Sequence, residues 1–493
     1  MTEAEVVLTC DRTLMSNYRS NEFIGFGTCA PPNFIPDMLY GMLFFPSMKN
    51  HNGFPQAAPY GLRKIEAQLL KENFKVTTVS PEHLGKHITG AKVLGIYTMD
   101  PFGLGPASTT LSSIFKKEPF LAKYFESLLK DNNIREERKR GLKVFVGGPG
   151  AWQFSYRPQF AKENGIDCIV DGESENAIGR LFRAAATGQQ IPAHYEPTPQ
   201  EVPSLEEIPD IAKPSINGLV EIGRGCCRHC EFCNVTLRPL RWYPYEKILR
   251  EIRVNQNGGV SMLCLHAEDV MLYGSSNTQP NEKRLLGLHK LVAKKTDGLS
   301  WSHCSLAAVA SNPHLFAKIA ETIHEVQTWW GAEVGIETGS PEIAKKIMPA
   351  KAHPFKAEDW PQVVKEGMGI MHDNRLVPAC TLIVGLPEEK EEDILKTMDL
   401  VDDLKDVRSL IVPLFFVPLG QLTKRDWFNE TGMTKLHKQL LFQCAEHDFR
   451  WVDNLIDWAY QGKWYLSLLK PLYKGFAGIA RNRVRRLEAK RGP

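Results

Sequence analysis

Four cysteines fall within eight positions of the chain, Cys226-Cys227-Arg228-His229-Cys230-Glu231-Phe232-Cys233. Thiolates at such spacing hold zinc or iron–sulfur clusters. Two registers are open: Cys226-x3-Cys230-x2-Cys233, or the ferredoxin-like Cys227-x2-Cys230-x2-Cys233. A ferredoxin run normally offers a fourth cysteine nearby, and none follows here. A zinc site would take Cys230 and Cys233 as one half, but no second Cys-x-x-Cys pair completes it elsewhere. Three thiolates on a cube of four irons leave one iron open, and an open iron can bind a substrate directly. The remaining seven cysteines (Cys10, Cys29, Cys168, Cys264, Cys304, Cys380 and Cys444) are scattered and read as small buried hydrophobes. Eleven cysteines in a chain expected to be intracellular are not a disulfide framework.

The elements that must position these groups alternate. In the first 190 residues, the helical stripe Leu62, Ile65, Leu69 is followed by the strands KVTTVS, AKVLGIYT, KVFVGG and DCIVDG, with helices between them. That order predicts a parallel sheet covered on both faces. Thr98 and Asp100, Gly147-Gly148-Pro149, and Gly172-Glu173 follow strand ends, where open parallel sheets bind ligands; glycine there also serves tight turns. Residues 191–215 carry six prolines and read as a stiff linker. From 216 to 418 six further strands are expected, at Leu219–Gly223, Met262–His266, Leu299–His303, Glu333–Glu337, Ala379–Val384 and Ser409–Phe415. With helices between them they suit a partial (β/α)6 barrel of TIM type, which puts chemistry at the carboxyl ends of its strands. Residues 419–493 read as a helical extension with Trp427, Trp451, Trp458 and Trp464, ending in a basic tail. The cysteine loop follows the first barrel strand.

That placement, with aromatic Phe232 before the last cysteine, resembles the radical S-adenosylmethionine (SAM) superfamily. The resemblance implies that Cys226, Cys230 and Cys233 hold a [4Fe–4S] cluster. Its open iron would chelate SAM, and reductive cleavage would yield a 5′-deoxyadenosyl radical. Val146-Gly147-Gly148-Pro149 and Asp167 to Glu175 are similar to the cobalamin-binding subfamily. So are Leu265 to Val270, Gly335 to Ser340 and Leu382 to Pro387. By that resemblance the first domain is a Rossmann-like cobalamin-binding domain. Glu268 or Asp269, Glu337 and Thr381 lie near SAM, although each could be a satisfied structural group. Lys351 reads as a surface lysine.

Two departures qualify the match. No Asp-x-His-x-x-Gly segment supplies a histidine to cobalt, and His83 and His87 have the wrong spacing. The second barrel strand lacks the superfamily's Gly-Gly-Glu. The implied reaction is methylation of an unactivated sp3 carbon by way of the radical and methylcobalamin. The N-terminal stretch NEFIGFGTCAPPNFIPDMLYGMLFFP is similar to archaeal cobalamin radical enzymes and points to a glutamine of methyl-coenzyme M reductase in methanogens, its alpha subunit being the implied protein partner. A low-potential donor such as ferredoxin or flavodoxin would supply electrons.

Composition sets bounds on the alternatives. A net charge of +3 over 493 residues gives no independent reason to expect nucleic acid. No apolar run reaches membrane-spanning length, and the first residues lack the pattern of a signal peptide. A cytoplasmic monomer is expected. An RNA-modifying methylthiotransferase is the rival enzyme class and would favour a second cysteine cluster among Cys10, Cys29 and Cys168; a non-enzymatic cluster-carrying sensor is the other rival.

Overall fold

The computed structural model describes residues 4–20, 22–29, 35–459 and 468–491. The chain forms two compact units, one of Met1–Val220 with Tyr243–Leu263, the other of Glu221–Trp242 with Cys264–Pro493.

The first unit is built on a six-stranded sheet. Its order is Val76–Thr78, Val6–Cys10, Val93–Tyr97, Lys143–Gly147, Cys168–Val170, His194–Tyr195, all neighbours parallel. Val6–Cys10 is fully buried along its length and sits inside the sheet, a strand the alternation of the sequence does not reveal. The proline-rich stretch 191–215 supplies the edge strand His194–Tyr195. It is also tied into the unit by polar bonds: Arg63 donates to the Pro214 carbonyl at 2.9 Å and Lys64 to that of Pro209 at 2.7 Å. Helix Tyr245–Asn257 belongs to this unit. Its buried Glu251 pairs with buried Lys64 and accepts from Tyr60 Oη at 2.7 Å and the Ile211 amide at 3.1 Å. Buried charges need such complete pairing, because an unpaired one costs several kcal/mol.

The second unit holds most of the barrel strands, the first two beginning in the first unit. Leu219–Glu221, Met262–His266 and Gly298–Trp301 form one run; Trp330–Glu337, Leu376–Val384 and Leu410–Phe415 form a second, parallel run. A parallel bridge between His303 and Glu333 joins the runs. The six expected strands are therefore present as a parallel, helix-covered α/β array. The first differs: Leu219–Glu221 stops early, and Gly223–Arg224 pairs antiparallel with Arg241–Trp242. After the last strand the chain is helical at Lys435–Ala459 and Lys470–Arg491. The first of these covers the final strand, with Asp448 accepting from the Ile411 amide at 2.7 Å. Trp464 lies outside the described residues. Among these residues no helix is long and apolar enough to cross a membrane.

Between strand and helix layers the core is aromatic. Trp301 packs edge-on to Trp330, with centroids 4.7 Å apart, and donates its indole N–H to His289 Nε2 at 2.9 Å. An indole nitrogen only donates, so His289 must be neutral, with its proton on Nδ1 facing the Leu285 carbonyl at 2.8 Å. Burial pushes its pKa down to about 4, against about 6.5 in an unfolded chain. Because the folded value is the lower, the unfolded chain protonates first and stability falls as the pH drops from 6.5 toward 4. The loss is about 3 kcal/mol from this group. Thermal melts of wild type and His289→Gln across that window check it; the glutamine, which cannot titrate, is expected to show the shallower acid slope.

Candidate active site

The hairpin of Gly223–Arg224 and Arg241–Trp242 closes the two ends of the cysteine loop. A Cβ on Gly225, whose φ is +82°, would stand 2.4 Å from the Pro239 carbonyl oxygen, so the loop ends approach only with glycine there. The loop is held at its middle by Arg228, which is 4% exposed. Its Nε donates to Asp269 at 3.2 Å and one terminal nitrogen to Ser305 Oγ at 2.7 Å. The other terminal nitrogen donates to the carbonyls of Ala350, Lys351 and His353 at 3.3, 2.9 and 3.2 Å. From the far end of the barrel, Gly420 donates to Asn234 Oδ1 at 2.6 Å and Gln421 to the Glu231 carbonyl at 2.7 Å. A Cβ on Gly420 would lie 2.7 Å from the Cys233 amide nitrogen.

Cys230 is buried, and Cys226, Cys227 and Cys233 are half-buried; all are free thiols. Burial pushes the Cys226 thiol up to about 12 and Cys230 to about 11, and raises Cys233 as well. Such thiols become thiolates when a metal replaces their protons. Among the described residues no three His, Cys, Asp or Glu side chains converge on one point as a single ion requires; a cubane instead takes one thiolate at each separate iron. A loop that carries three thiolates, fixed by its backbone, would suit a cluster that takes one thiolate at each of three irons.

Beside this loop lies a charged triad. Glu337 ends the fourth barrel strand at a register shift, with φ +65°. Its carboxylate accepts from Lys351 Nζ at 2.8 Å and from Thr381 Oγ1 at 3.1 Å. Lys351 also stands 5.9 Å above the Phe232 ring. Burial alone would lower its ammonium, but the Glu337 carboxylate and Cys230 outweigh that and hold it above the ordinary lysine range. Lys351 is thus no surface residue: it is 14% exposed and joins Glu337 to the cysteine loop. Gly335 makes room for the pair, since a Cβ there would lie 2.0 Å from Glu337 Oε1.

The two acidic candidates after the second strand separate. Asp269 is committed to Arg228 and to the Ser305 amide and hydroxyl, at 3.1 and 2.5 Å. Half-buried Glu268 stands close enough to Cys233 to raise its pKa. Arg228 carries the most contacts in the loop and was not marked by the motif, because its partners lie 41 to 125 residues away.

In the first unit the other candidates share one sheet edge. Thr98, Asp100, Gly147, Gly148, Pro149, Gly172 and Glu173 follow three adjacent strands. Asp100 Oδ1 accepts from Gln153 Nε2 at 2.6 Å and the Gly105 amide at 3.0 Å. Gly148, with φ +111°, brings its backbone to the Thr98 carbonyl, where a Cβ would be 2.6 Å away. The hydroxyls of Thr98, Ser108 and Thr109 are buried and find no hydrogen-bond partner among the described residues.

Residues 220–401 match the model of the Radical SAM superfamily. A Methanocaldococcus jannaschii protein, MJ0865, whose name places it provisionally among methylthiotransferases, is 25% identical over 445 residues, covering 84% of this chain and 93% of the relative. A tRNA-2-methylthio-N(6)-dimethylallyladenosine synthase of Thermus thermophilus is 24% identical over 279 residues. The alignment takes in 55% of this chain and 54% of that one, so the chain spans about half the length of this relative. Among solved structures, the radical SAM methyltransferase TsrM of Kitasatospora setae, with cobalamin and a [4Fe–4S] cluster bound, aligns at a TM-score of 0.52 and 15% identity over 85% of this chain and 74% of its own. That likeness is one of fold. The family match over residues 220–401, the barrel strands and the clamped cysteine loop agree in pointing to the Radical SAM superfamily, whose cofactors are a [4Fe–4S] cluster and SAM.

Proposed function

We propose that this chain is a cobalamin-dependent radical SAM C-methyltransferase acting on an unactivated sp3 carbon, with a glutamine of methyl-coenzyme M reductase as the finest reading. The observation that carries the methyltransferase reading is the sheet edge of the first unit. There the buried Thr98 hydroxyl, next to close-packed Gly148, finds no partner among the described residues, and neither do Ser108 and Thr109 on the following helix, Pro106–Phe115. Orphaned buried hydroxyls are rare and costly, and a cofactor rich in amide groups would satisfy them. Cobalamin, when bound, supplies a methyl group that a carbon radical can take.

The chain's own residues have separate tasks. Cys226, Cys230 and Cys233 hold the cluster and leave one iron open. Glu337, fixed by Lys351 and Thr381, would serve the amino or hydroxyl groups of SAM, and Glu268, which follows the second barrel strand, stands near Cys233. Phe232 and Lys351, which pack together, would help to keep water from the cluster when it is bound. Gly335→Ala would displace the Glu337 carboxylate. It is expected to weaken SAM binding at least about tenfold, roughly 1.4 kcal/mol, while cluster iron is retained; equilibrium dialysis and iron analysis of the same sample check it.

The names of the curated relatives favour a second reading, sulfur insertion into tRNA. Against it, Cys10 and Cys168 are buried in one apolar core with Cys29 packed at its side, and burial pushes the first two thiols up. Anaerobic purification separates the readings. About one corrinoid per chain with four irons is expected; a second iron–sulfur cluster without corrinoid would overturn the methyltransferase assignment.

A further inference from the structure

The inward faces of the barrel strands are open. In Trp330–Glu337, buried Ala332, Val334 and Ile336 face the helices, while Glu333 and Gly335 between them stay partly exposed. Thr381 and Ile383 do the same in Leu376–Val384, and Val412 and Leu414 in Leu410–Phe415. Side chains alternate across a strand, so the partly exposed set is one face of the array. An eight-stranded barrel fills its interior with such residues; the carboxyl-terminal halves of these last three strands leave theirs accessible.

That interior has two unlike walls. On one, His303 Nε2 lies 3.1 Å from Glu333 Oε2, and the His266 and His303 rings are 6.0 Å apart. His266 Nδ1 is buried with no hydrogen-bond partner among the described residues. A buried ring nitrogen without a partner costs free energy that a ligand can recover. On the other wall stand Ile383, Val412 and Leu414. Glu333 brings an anion to the interior, and the imidazoles bring adaptable donors and acceptors.

We infer that this interior is the substrate subsite, shaped for a nitrogen-bearing head group (amide, ammonium or guanidinium) on a short aliphatic stem. The N–H groups of the head meet Glu333 and His266, and the stem lies along Ile383, Val412 and Leu414. A carboxylate head is repelled by Glu333. The inference rests on the radical methyltransferase reading for its chemistry, and it adds the residues that select the side chain.

The test uses the full chain with its cluster loaded and SAM saturating. Diethyl pyrocarbonate acylation of His266 and His303 is followed by peptide mapping, with exposed His51 as the reference. The probes are butylguanidinium, pentanamide and pentanoate. At about twice their Kd, butylguanidinium and pentanamide are expected to slow acylation of both histidines about threefold, since protection follows 1 + [L]/Kd; pentanoate is expected to give none. Glu333→Gln should abolish protection by butylguanidinium and spare most of that by pentanamide. Equal protection by all three probes, or by none, overturns the inference on the wild type alone, whatever the variant does. Formation of 5′-deoxyadenosine is measured separately without probes. Its absence would sink the radical reading and leave the probe result standing.

Discussion

Serine at position 226, 230 or 233 is expected to strip the protein of its iron and to lower 5′-deoxyadenosine formation more than about 100-fold. Changes merely around a metal site cost 10- to 100-fold, and loss of one of three ligands to a cubane costs more. Cys227→Ser is expected to keep both iron and turnover. The contrast decides the register, which the sequence leaves open between Cys226 and Cys227. Both residues are half-buried and both thiols are raised by burial, so neither exposure nor proton affinity discriminates between them. Iron and sulfide analysis with the electronic absorption of the anaerobic protein gives the readout. Iron retained in the Cys226 variant and lost in the Cys227 variant would move the site to the ferredoxin-like register.

Arg228→Met is expected to cost about 3–5 kcal/mol, the range for breaking a buried ion pair by removing one partner, and to lower the melting temperature by roughly 10 °C. The substitution leaves Asp269, 4% exposed, without its cation. It also leaves the carbonyls of Ala350, Lys351 and His353 without their shared donor. Arg228→Lys should rescue little, because one ammonium cannot span a carboxylate, a hydroxyl and three carbonyls. Adding Asp269→Leu to Arg228→Met should restore a large part of the loss, since the uncompensated charge is then gone. Melts of wild type, Arg228→Met, Arg228→Lys, Asp269→Leu and the double variant test this, and additive losses would show that the pair is not coupled.

The fold was legible where apolar runs alternate with helical stripes. All six barrel strands overlap the apolar runs where the sequence places them, although the first stops early, at Glu221. Val6–Cys10 was not, since five consecutive buried residues between Glu5 and Asp11 carry no alternation to mark a strand. At the site, the cysteines, Glu337 and Thr381 were legible through motifs that keep their spacing. The structure joins the last two in one hydrogen bond, at 3.1 Å. Arg228 and Lys351 were not, for a common physical reason. A long charged side chain looks solvated in sequence, and only the fold supplies the carbonyls, carboxylate and ring that take it out of water. Asp269 shows the reverse: adjacent to Glu268 and indistinguishable by type, it is occupied by a guanidinium and a serine.

The bonds from Gly420 and Gln421 to the cysteine loop have a practical corollary. The matched superfamily domain ends at residue 401, yet these two backbone donors lie beyond it and grip Asn234 and Glu231. A fragment trimmed to the homology boundary would sever that grip and lose the last strand as well. Dissection of this chain therefore has to respect a seam at residue 421 or later, and an excised core that binds no iron would report on where it was cut, not on what the thiolates can do.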